Sequence, residues 1–387
     1  MRRRLLAALL ALLGAAAQAQ ERPLIVGVAL PKAGLLADVA LEAGQGLELW
    51  LADVNAAGGL LGRRVELRRE DDATDAGAVR AAYERLIDEA RADVLIGPAG
   101  SAATLVAGVL AERRRRVMLN ATGAESAVHK QGYRYLFQVP PPVAEQGANA
   151  LALAHSVGVK ALLLHTRGSD AGASERLRAD AARLGLGIVT FDATGTSGYP
   201  AIIERARAAQ VEGWIALVPG REAGEIVKAF KAAAYAPGFF LAEGAGQPQF
   251  VREVGQDAEF ALGMSPYEPG LRTPGNARFV EAYRAKHRVA PGRIAAGAYA
   301  AGQVLEAAVR AAGSVEQEAL RDALARLRTD TLFGTYAVDE LGAQTGAKPF
   351  VVQILKGRRE VVWPPEYASA RPVLPYPGWG ERVIIKR

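Results

Sequence analysis

The chain has 387 residues, of which half are hydrophobic and none is cysteine, and 47 Lys and Arg against 41 Asp and Glu give a net charge of +6. This length is typical of two domains of roughly 100–200 residues each, and the apolar fraction is too high for an intrinsically disordered protein. The absence of cysteine excludes disulfides, thiolate metal sites and a cysteine nucleophile.

The first nineteen residues have the composition of a secretory signal peptide. Three arginines lie within 1–4, an apolar stretch covers 5–16, and 17–19 has the form of an A-x-A cleavage site. The apolar stretch is shorter than the roughly 20 residues that span a membrane. We therefore expect residues 1–19 to be removed, which lowers the net charge to +3, too little to predict nucleic-acid binding.

The segment 24–139 alternates short apolar runs with longer segments of helical spacing. Continuous apolar character predicts a buried strand at 24–30, and Leu47, Leu51 and Val54 mark one face of a helix at 42–55. Further strands are predicted at 64–68, 93–96 and 117–119, and further helices at 75–89 and 101–113. This alternation predicts a parallel sheet with right-handed crossovers.

A second α/β unit is predicted after Pro140, Pro141 and Pro142. Its strands are predicted at 161–165, 187–191, 214–218, 239–242 and 260–264, and its helices at 146–157, 173–184, 200–209 and 222–233. Helices at 276–286, 295–311 and 315–327, strands at 333–339 and 350–355 and an ordered irregular tail at 363–380 follow. Two α/β units predict a bilobal protein that binds ligands at the carboxyl ends of its strands.

No catalytic constellation is found in the sequence. The dinucleotide and Walker motifs and H-E-x-x-H are absent, and the residues around Ser101 do not satisfy G-x-S-x-G. The four histidines are scattered, and Asp71 and Asp72 are typical of a turn before a helix. The sequence therefore predicts no enzyme, no cofactor and no metal site, and it favours a binding protein.

Several motifs follow one another in the order that one family has them. They are N-A-A-G-G-L-L-G at 55–62, E-D-D-A-T-D at 70–75, I-G-P at 96–98 with Ser101 and Thr104, Glu243-Gly244, F-x-x-A-Y at 279–283, Y-x-x-x-Q at 299–303, F-G at 333–334 and D-x-x-G at 339–342. Over nearly all of its mature length the chain resembles the branched-chain (leucine/isoleucine/valine-type) amino-acid periplasmic substrate-binding proteins of ABC transporters.

The resemblance implies the type I periplasmic-binding-protein fold, with two Rossmann-like α/β lobes joined by three crossing strands. Lobe 1 would comprise 20–139 plus 267–345, and lobe 2 would comprise 140–266 plus 346–387 with the C-terminal tail. It also implies a periplasmic monomer that binds a small amino acid or related compound and delivers it to ABC permease and ATPase subunits. No nucleic acid and no cofactor are implied.

Family members hold the ligand carboxylate with loops that follow the third and fourth strands. Ser101 matches the serine of the first loop, and with Gly100 it opens a helix whose N-terminal N–H groups suit an anion. Ser101 could instead be only the N-cap of that helix. In the second loop the family often has threonine where Ala124 stands, so either Thr122 or the backbone N–H groups of Gly123 and Ala124 would serve.

The ligand ammonium is usually held by a glutamate of the second lobe, and Glu243 matches that position. A carboxylate directly after a buried strand needs a cation, which is either the ligand or an arginine. Asp170 could add a second negative group, whereas Val39 and Gly220 stand where the family often has aromatic side chains. The ligand therefore stays open, and the alternative function is a ligand-sensing module that binds an amide or an aromatic acid.

Overall fold

The computed structural model describes residues 22–142, 145–166, 171–192 and 198–382. The predicted signal peptide at 1–19 and the candidate Asp170 lie outside these residues. Within them, no helix is both long enough and apolar enough to cross a membrane.

The first sheet has five parallel strands in the order β2-β1-β3-β4-β5. Leu24, Val26 and Val28 of β1 are fully buried, as a parallel strand with both faces covered requires. The strands are β1 Leu24–Ala29, β2 Val65–Glu70, β3 Val94–Ile96, β4 Met118–Asn120 and β5 Leu136–Gln138.

Helices from both ends of the chain cover the first sheet. Their bounds are α1 Ala37–Ala56, α2 Ala76–Asp88, α3 Ser101–Arg113, α9 Asn276–His287, α10 Arg293–Ala312 and α11 Gln317–Arg326. Helices α1 and α10 pack so closely that a Cβ atom on Gly302 would lie 2.1 Å from Trp50. Late segments of the chain therefore share one core with β1 and α1.

The second sheet has seven strands in the order β14-β13-β10-β9-β8-β6-β7. Strands β6 to β10 are parallel, whereas β13 is antiparallel to both β10 and β14. The strands are β6 Ala161–Thr166, β7 Gly187–Asp192, β8 Gly213–Leu217, β9 Phe239–Ala242, β10 Leu262–Ser265, β13 Phe350–Leu355 and β14 Arg358–Trp363, and a separate hairpin has β11 Thr329–Thr331 and β12 Gly334–Tyr336.

This half of the molecule is completed by the C-terminal tail and by the helices that connect the strands of the second sheet. The helices are α4 Gln146–Ser156, α5 Ala171–Arg183, α6 Tyr199–Ala208, α7 Gly220–Ala232 and α8 Pro248–Val254. In the tail, Tyr376 is buried and Trp379 Nε1 donates a hydrogen bond to Tyr235 O at 2.8 Å. The prediction of an ordered tail at 363–380 is confirmed.

The described chain passes between the two sheets after β5, after β10 and after β12. The first and third passages are hydrogen-bonded to each other, since Gln138 N donates to Gly342 O and Gln344 Nε2 donates to Val139 O. Two α/β lobes joined by three passages are the architecture that the family resemblance implied.

The observed elements differ from the predicted ones in a few places. Strands β5, β11 and β14 and helix α8 were not predicted. The strand expected at 333–339 is present but shorter, at Gly334–Tyr336, and it pairs with β11 in a hairpin in which Gly334 has φ +87°.

Candidate functional site

A cleft of about 850 Å³ lies between the two sheets, at the ends of β3, β4, β9 and β10. Five of the seven predicted site residues line it: Gly100, Ser101, Thr122, Ala124 and Glu243. The passages between the sheets contribute residues 140–142, residues 265–269 and Pro349 to its lining. The fold therefore places the loops singled out from sequence around one cavity.

Gly100 and Ser101 form the start of α3 on the first-sheet side of the cleft. Gly100 is the N-cap and has φ +84°, a conformation that only glycine adopts readily. Ser101 is the first residue of the helix, so the interpretation of Ser101 as an N-cap was wrong. The Ser101 hydroxyl accepts a hydrogen bond from Glu125 N at 3.3 Å, and its own proton is not used in that bond.

Thr122 joins the two loops on this side. Its hydroxyl donates to Pro98 O at 2.9 Å and accepts from Gly100 N at 3.0 Å. Because the only hydroxyl proton is used by Pro98, Thr122 can offer a ligand a lone pair but no proton. The structure thus gives Thr122 a role in shaping the loop that starts α3.

Gly123 is held by Asn120, a residue that sequence reasoning missed. Asn120 Oδ1 accepts from Gly123 N and Asn120 Nδ2 donates to Gly123 O, both at 2.8 Å. His129 Nε2 lies 3.3 Å from the same amide nitrogen, and burial lowers the pKa of His129 to about 4, so that the ring is neutral at pH 7. The N–H of Gly123 is therefore occupied, and Ala124 is the neighbour that lines the cleft.

Glu243 lies on the opposite side, in a short 3-10 turn that follows β9. The turn, Glu243–Gly246, is pressed against its neighbours: a Cβ on Gly244 would lie 2.2 Å from Gly220 N, and one on Gly246 would lie 2.0 Å from Met264 O. Glycine is thus required at both positions. The half-buried carboxylate of Glu243 lines the cleft.

Glu268 and Arg359 form an ion pair in the cleft wall, 3.1 Å apart, that sequence reasoning also missed. Glu268 is 4% exposed and its Oε1 atom has no hydrogen-bond partner among the described residues. Burial raises the pKa of Glu268 to about 7, against the opposing effect of Arg359. The sequence carried no signal, because Arg359 lies in a charged run that is typical of an exposed hairpin.

Charged side chains are frequent in the cleft, and carboxylates outnumber guanidinium groups among the described lining residues. Glu42, one of the carboxylates, accepts a hydrogen bond from Ala295 N at 3.2 Å near the start of α10. The carboxylates are those of Glu42, Glu125, Glu243 and Glu268, and the guanidinium groups are those of Arg293 and Arg359.

The aromatic residues of the cleft are Tyr267 and Phe333, neither of which was predicted. Val39 packs against the core of the first sheet, and Gly220 is buried at the start of α7. Within the described residues, no three side chains are grouped so that they could hold a metal ion. A smaller recess of about 450 Å³ beside α1 contains none of the predicted site residues.

Comparison with known proteins gives consistent results. Residues 23–359 match the family model described as periplasmic binding protein. An amino acid binding protein of Pseudomonas aeruginosa is 26% identical over 82% of this chain and 86% of its own length. The Leu/Ile/Val-binding protein of Escherichia coli is 23% identical, over 78% of this chain and 82% of its own.

Solved structures show the same fold. A putative branched-chain amino acid ABC transporter structure from Rhodospirillum rubrum has a TM-score of 0.81 at 23% identity, over 88% of this chain and all of the other. A solute binding protein from R. palustris in complex with benzoate has a TM-score of 0.59 at 19% identity, over 91% and 98%. The chain belongs to the periplasmic binding protein family and is a substrate-binding protein of the leucine-binding type, not an enzyme.

Proposed function

We propose that this chain is the periplasmic solute-binding component of an ABC importer and that it holds a small amino acid in the cleft. The observation that carries the proposal is the pairing of the N-terminus of α3, at Gly100 and Ser101, with the carboxylate of Glu243 in one cavity. A zwitterion has the two charges that these groups complement.

The carboxylate of the amino acid would bind on the first-sheet side. The N-terminal N–H groups of a helix carry partial positive charge, and α3 is 13 residues long. The Ser101 hydroxyl and the backbone of Ala124 lie beside this end of the helix, on the same side of the cleft. Asn120 and Thr122 hold the two loops in place.

The ammonium would bind on the second-sheet side, at Glu243. When the cleft closes, the ligand ammonium would lie beside this half-buried carboxylate and pair with it. Asp170 stays a candidate that lies outside the described residues, whereas the backbone of Gly123 is bonded to Asn120 and is not part of the proposed site.

The carboxylate excess in the cleft also separates the two candidate ligand classes. An aromatic acid such as benzoate brings a single negative charge and no cation, and the described cleft lining has four carboxylates against the two guanidinium groups of Arg293 and Arg359. An amino acid brings an ammonium that offsets part of this charge. These charges favour an amino acid over an aromatic acid as the ligand.

The lobes and partners follow from the same proposal. Lobe 1 would be 20–139 plus 267–345 and lobe 2 would be 140–266 plus 346–387, with closure about the passages that join them. After removal of residues 1–19, the protein would act in the periplasm as a monomer and deliver its ligand to the permease and ATPase subunits.

A thermal-shift panel of the proteinogenic L-amino acids and benzoate tests the proposed function. A ligand present at 100 times its Kd stabilises the folded protein by about 2.7 kcal/mol. We expect at least one amino acid to raise the Tm and benzoate to leave it unchanged. A shift with benzoate alone would contradict the amino-acid assignment.

A further inference from the structure

One arginine connects the turn that carries Glu243 to a distant part of the cleft wall. Arg359 Nη1 donates to Gly246 O, the last carbonyl of the turn, at 2.8 Å. Arg359 Nη2 lies 3.1 Å from Glu268 Oε2. Arg359 is on β14, at the edge of the second sheet, and Glu268 is on the passage after β10. Three segments that are far apart in sequence therefore meet at one guanidinium group.

The chemistry of this junction requires an arginine. A guanidinium group is planar and donates in several fixed directions, whereas the ammonium of lysine is a point charge on a flexible stem. One group can therefore bind the Gly246 carbonyl and the Glu268 carboxylate together. Glu268 is almost fully buried, and a buried carboxylate without a cation is costly, so Arg359 is also held in place by Glu268.

The turn is fixed by several contacts. Gly244 and Gly246 pack against the backbone of Gly220 and Met264, and Gly244 N donates to Val218 O. The Arg359 bond to Gly246 O is a side-chain contact at the other end of the turn from Glu243.

We propose that Arg359 is a positioning residue that sets the direction in which Glu243 points into the cleft. The inference rests on the proposed function, in which Glu243 receives the ligand ammonium. Arg359 then acts on affinity through Glu243, and Glu268 acts by holding Arg359. If the hydrogen bond between Glu243 and the ligand ammonium is misaligned without Arg359, amino-acid binding should weaken by about 10-fold.

A double-mutant cycle between Arg359 and Glu243 tests the inference, with the proteinogenic L-amino acids as probes and calorimetry as the measurement. Arg359→Met should weaken binding about 10-fold in the native background and less than about 2-fold in Glu243→Gln, because residues that act through one another are not additive. An equal loss in both backgrounds would overturn the inference, since Arg359 would then act directly on the ligand.

The adjacent residue provides a matched control. Arg358 is on the same strand, its side chain is 63% exposed and it pairs with Glu360 at 3.5 Å. Arg358→Met should leave affinity unchanged, and an equal loss in both arginine variants would contradict the inference. Arg359→Lys keeps the positive charge near Glu268 but not both contacts, so its affinity should lie between those of the native protein and Arg359→Met.

Hydrogen exchange separates failure of this inference from failure of the proposed function. In the absence of ligand, the backbone amides of 244–247 should exchange their hydrogens faster in the Arg359→Met variant than in the Arg358→Met variant. Equal exchange rates in the two variants would overturn the positioning role. Failure of the proposed function has another signature, which is that Glu243→Gln alone leaves amino-acid affinity unchanged. Urea melts confirm that each variant is folded, and Arg359→Lys replaces Arg359→Met if the latter is not.

Discussion

The two sides of the cleft are held together in different ways. On the first-sheet side, the polar side chains of Asn120 and Thr122 form hydrogen bonds within the protein and hold the loops at the start of α3. On the second-sheet side, the backbone of the turn that carries Glu243 is pressed into tight glycine contacts. Charged side chains line both sides, but the N-terminus of α3 lies only on the first and Glu243 only on the second.

This difference predicts how each side responds to mutation. A helix N-terminus survives the loss of any one side chain, because its N–H groups belong to the backbone. A site made of one carboxylate loses its charge with a single substitution. We therefore expect affinity to depend more on the second-sheet side and stability to depend more on the polar residues of the first-sheet side.

The largest expected effect is that of Glu243→Gln. This change keeps the shape and removes the charge, so the ligand ammonium is left without its counter-ion at a cost of about 2–5 kcal/mol in binding. Calorimetry with the amino acids that shift the Tm measures the loss. Equal affinity of the native protein and the variant would contradict an amino-acid ligand and would leave the family assignment untouched.

Ser101→Ala should have a smaller effect on binding and almost none on folding. Loss of a hydrogen bond to the ligand carboxylate costs about 1.5–3 kcal/mol. The N-cap is Gly100 and not Ser101. The free energy of unfolding should therefore change by less than about 0.5 kcal/mol, as is usual for a substitution that affects neither a cap nor the core. Calorimetry and urea melts on the same variant measure both, and a larger loss of stability than of affinity would reverse this assignment.

Thr122→Val should show the opposite pattern. Removal of the hydroxyl leaves Gly100 N and Pro98 O without their partner, which costs about 1–3 kcal/mol of stability. Affinity should fall less than in Ser101→Ala, because the Thr122 proton is already used within the protein. Thr122→Ser keeps the hydroxyl and is the control. A large loss of affinity with native stability would instead assign Thr122 to the ligand.

A further expected effect is a pH dependence of stability that arises from Glu268. Burial raises the pKa of Glu268 in the folded protein from 4.5 to about 7. Between these values the folded state binds more protons than the unfolded state, so this group makes the protein less stable as the pH rises from 4.5 to 7. Glu268→Gln should remove this contribution.

Urea melts of the native protein and Glu268→Gln across pH 4.5–8 measure this contribution. The difference in stability between the two should change in favour of the variant as the pH rises. A difference that is constant across the range would show that Glu268 does not titrate there. Glu360→Gln is a useful comparison, because Glu360 is on β14 next to Arg359.

Much of the fold was predictable because it depends on local patterns. Buried strands such as β1 and β9 are continuous apolar runs. The three consecutive prolines at 140–142 marked the change from the first α/β unit to the second. Strand β5 was missed although β3 and β4, which are also three residues long, were predicted; it is the edge strand of the first sheet and pairs with β4.

The candidate site was predictable only in part. Ser101 and Glu243 were found because each follows a strand directly and matches a family motif. Asn120, Glu268 and Arg359 were missed because their roles depend on contacts with residues that the sequence does not place near them. Arg359 and Gly246, for example, are 113 positions apart. Residue type and local spacing cannot reveal such a contact.

The most direct test of the two-sided cleft is a comparison of three ligands by calorimetry. They are the amino acid with the largest thermal shift, the same molecule without its ammonium group, and the same molecule without its carboxylate. If the N-terminus of α3 holds one end and Glu243 holds the other, both truncated ligands should bind at least about 10-fold more weakly, as loss of a charged hydrogen bond requires. If the ligand that lacks the ammonium bound as tightly as the intact amino acid, the result would contradict the account.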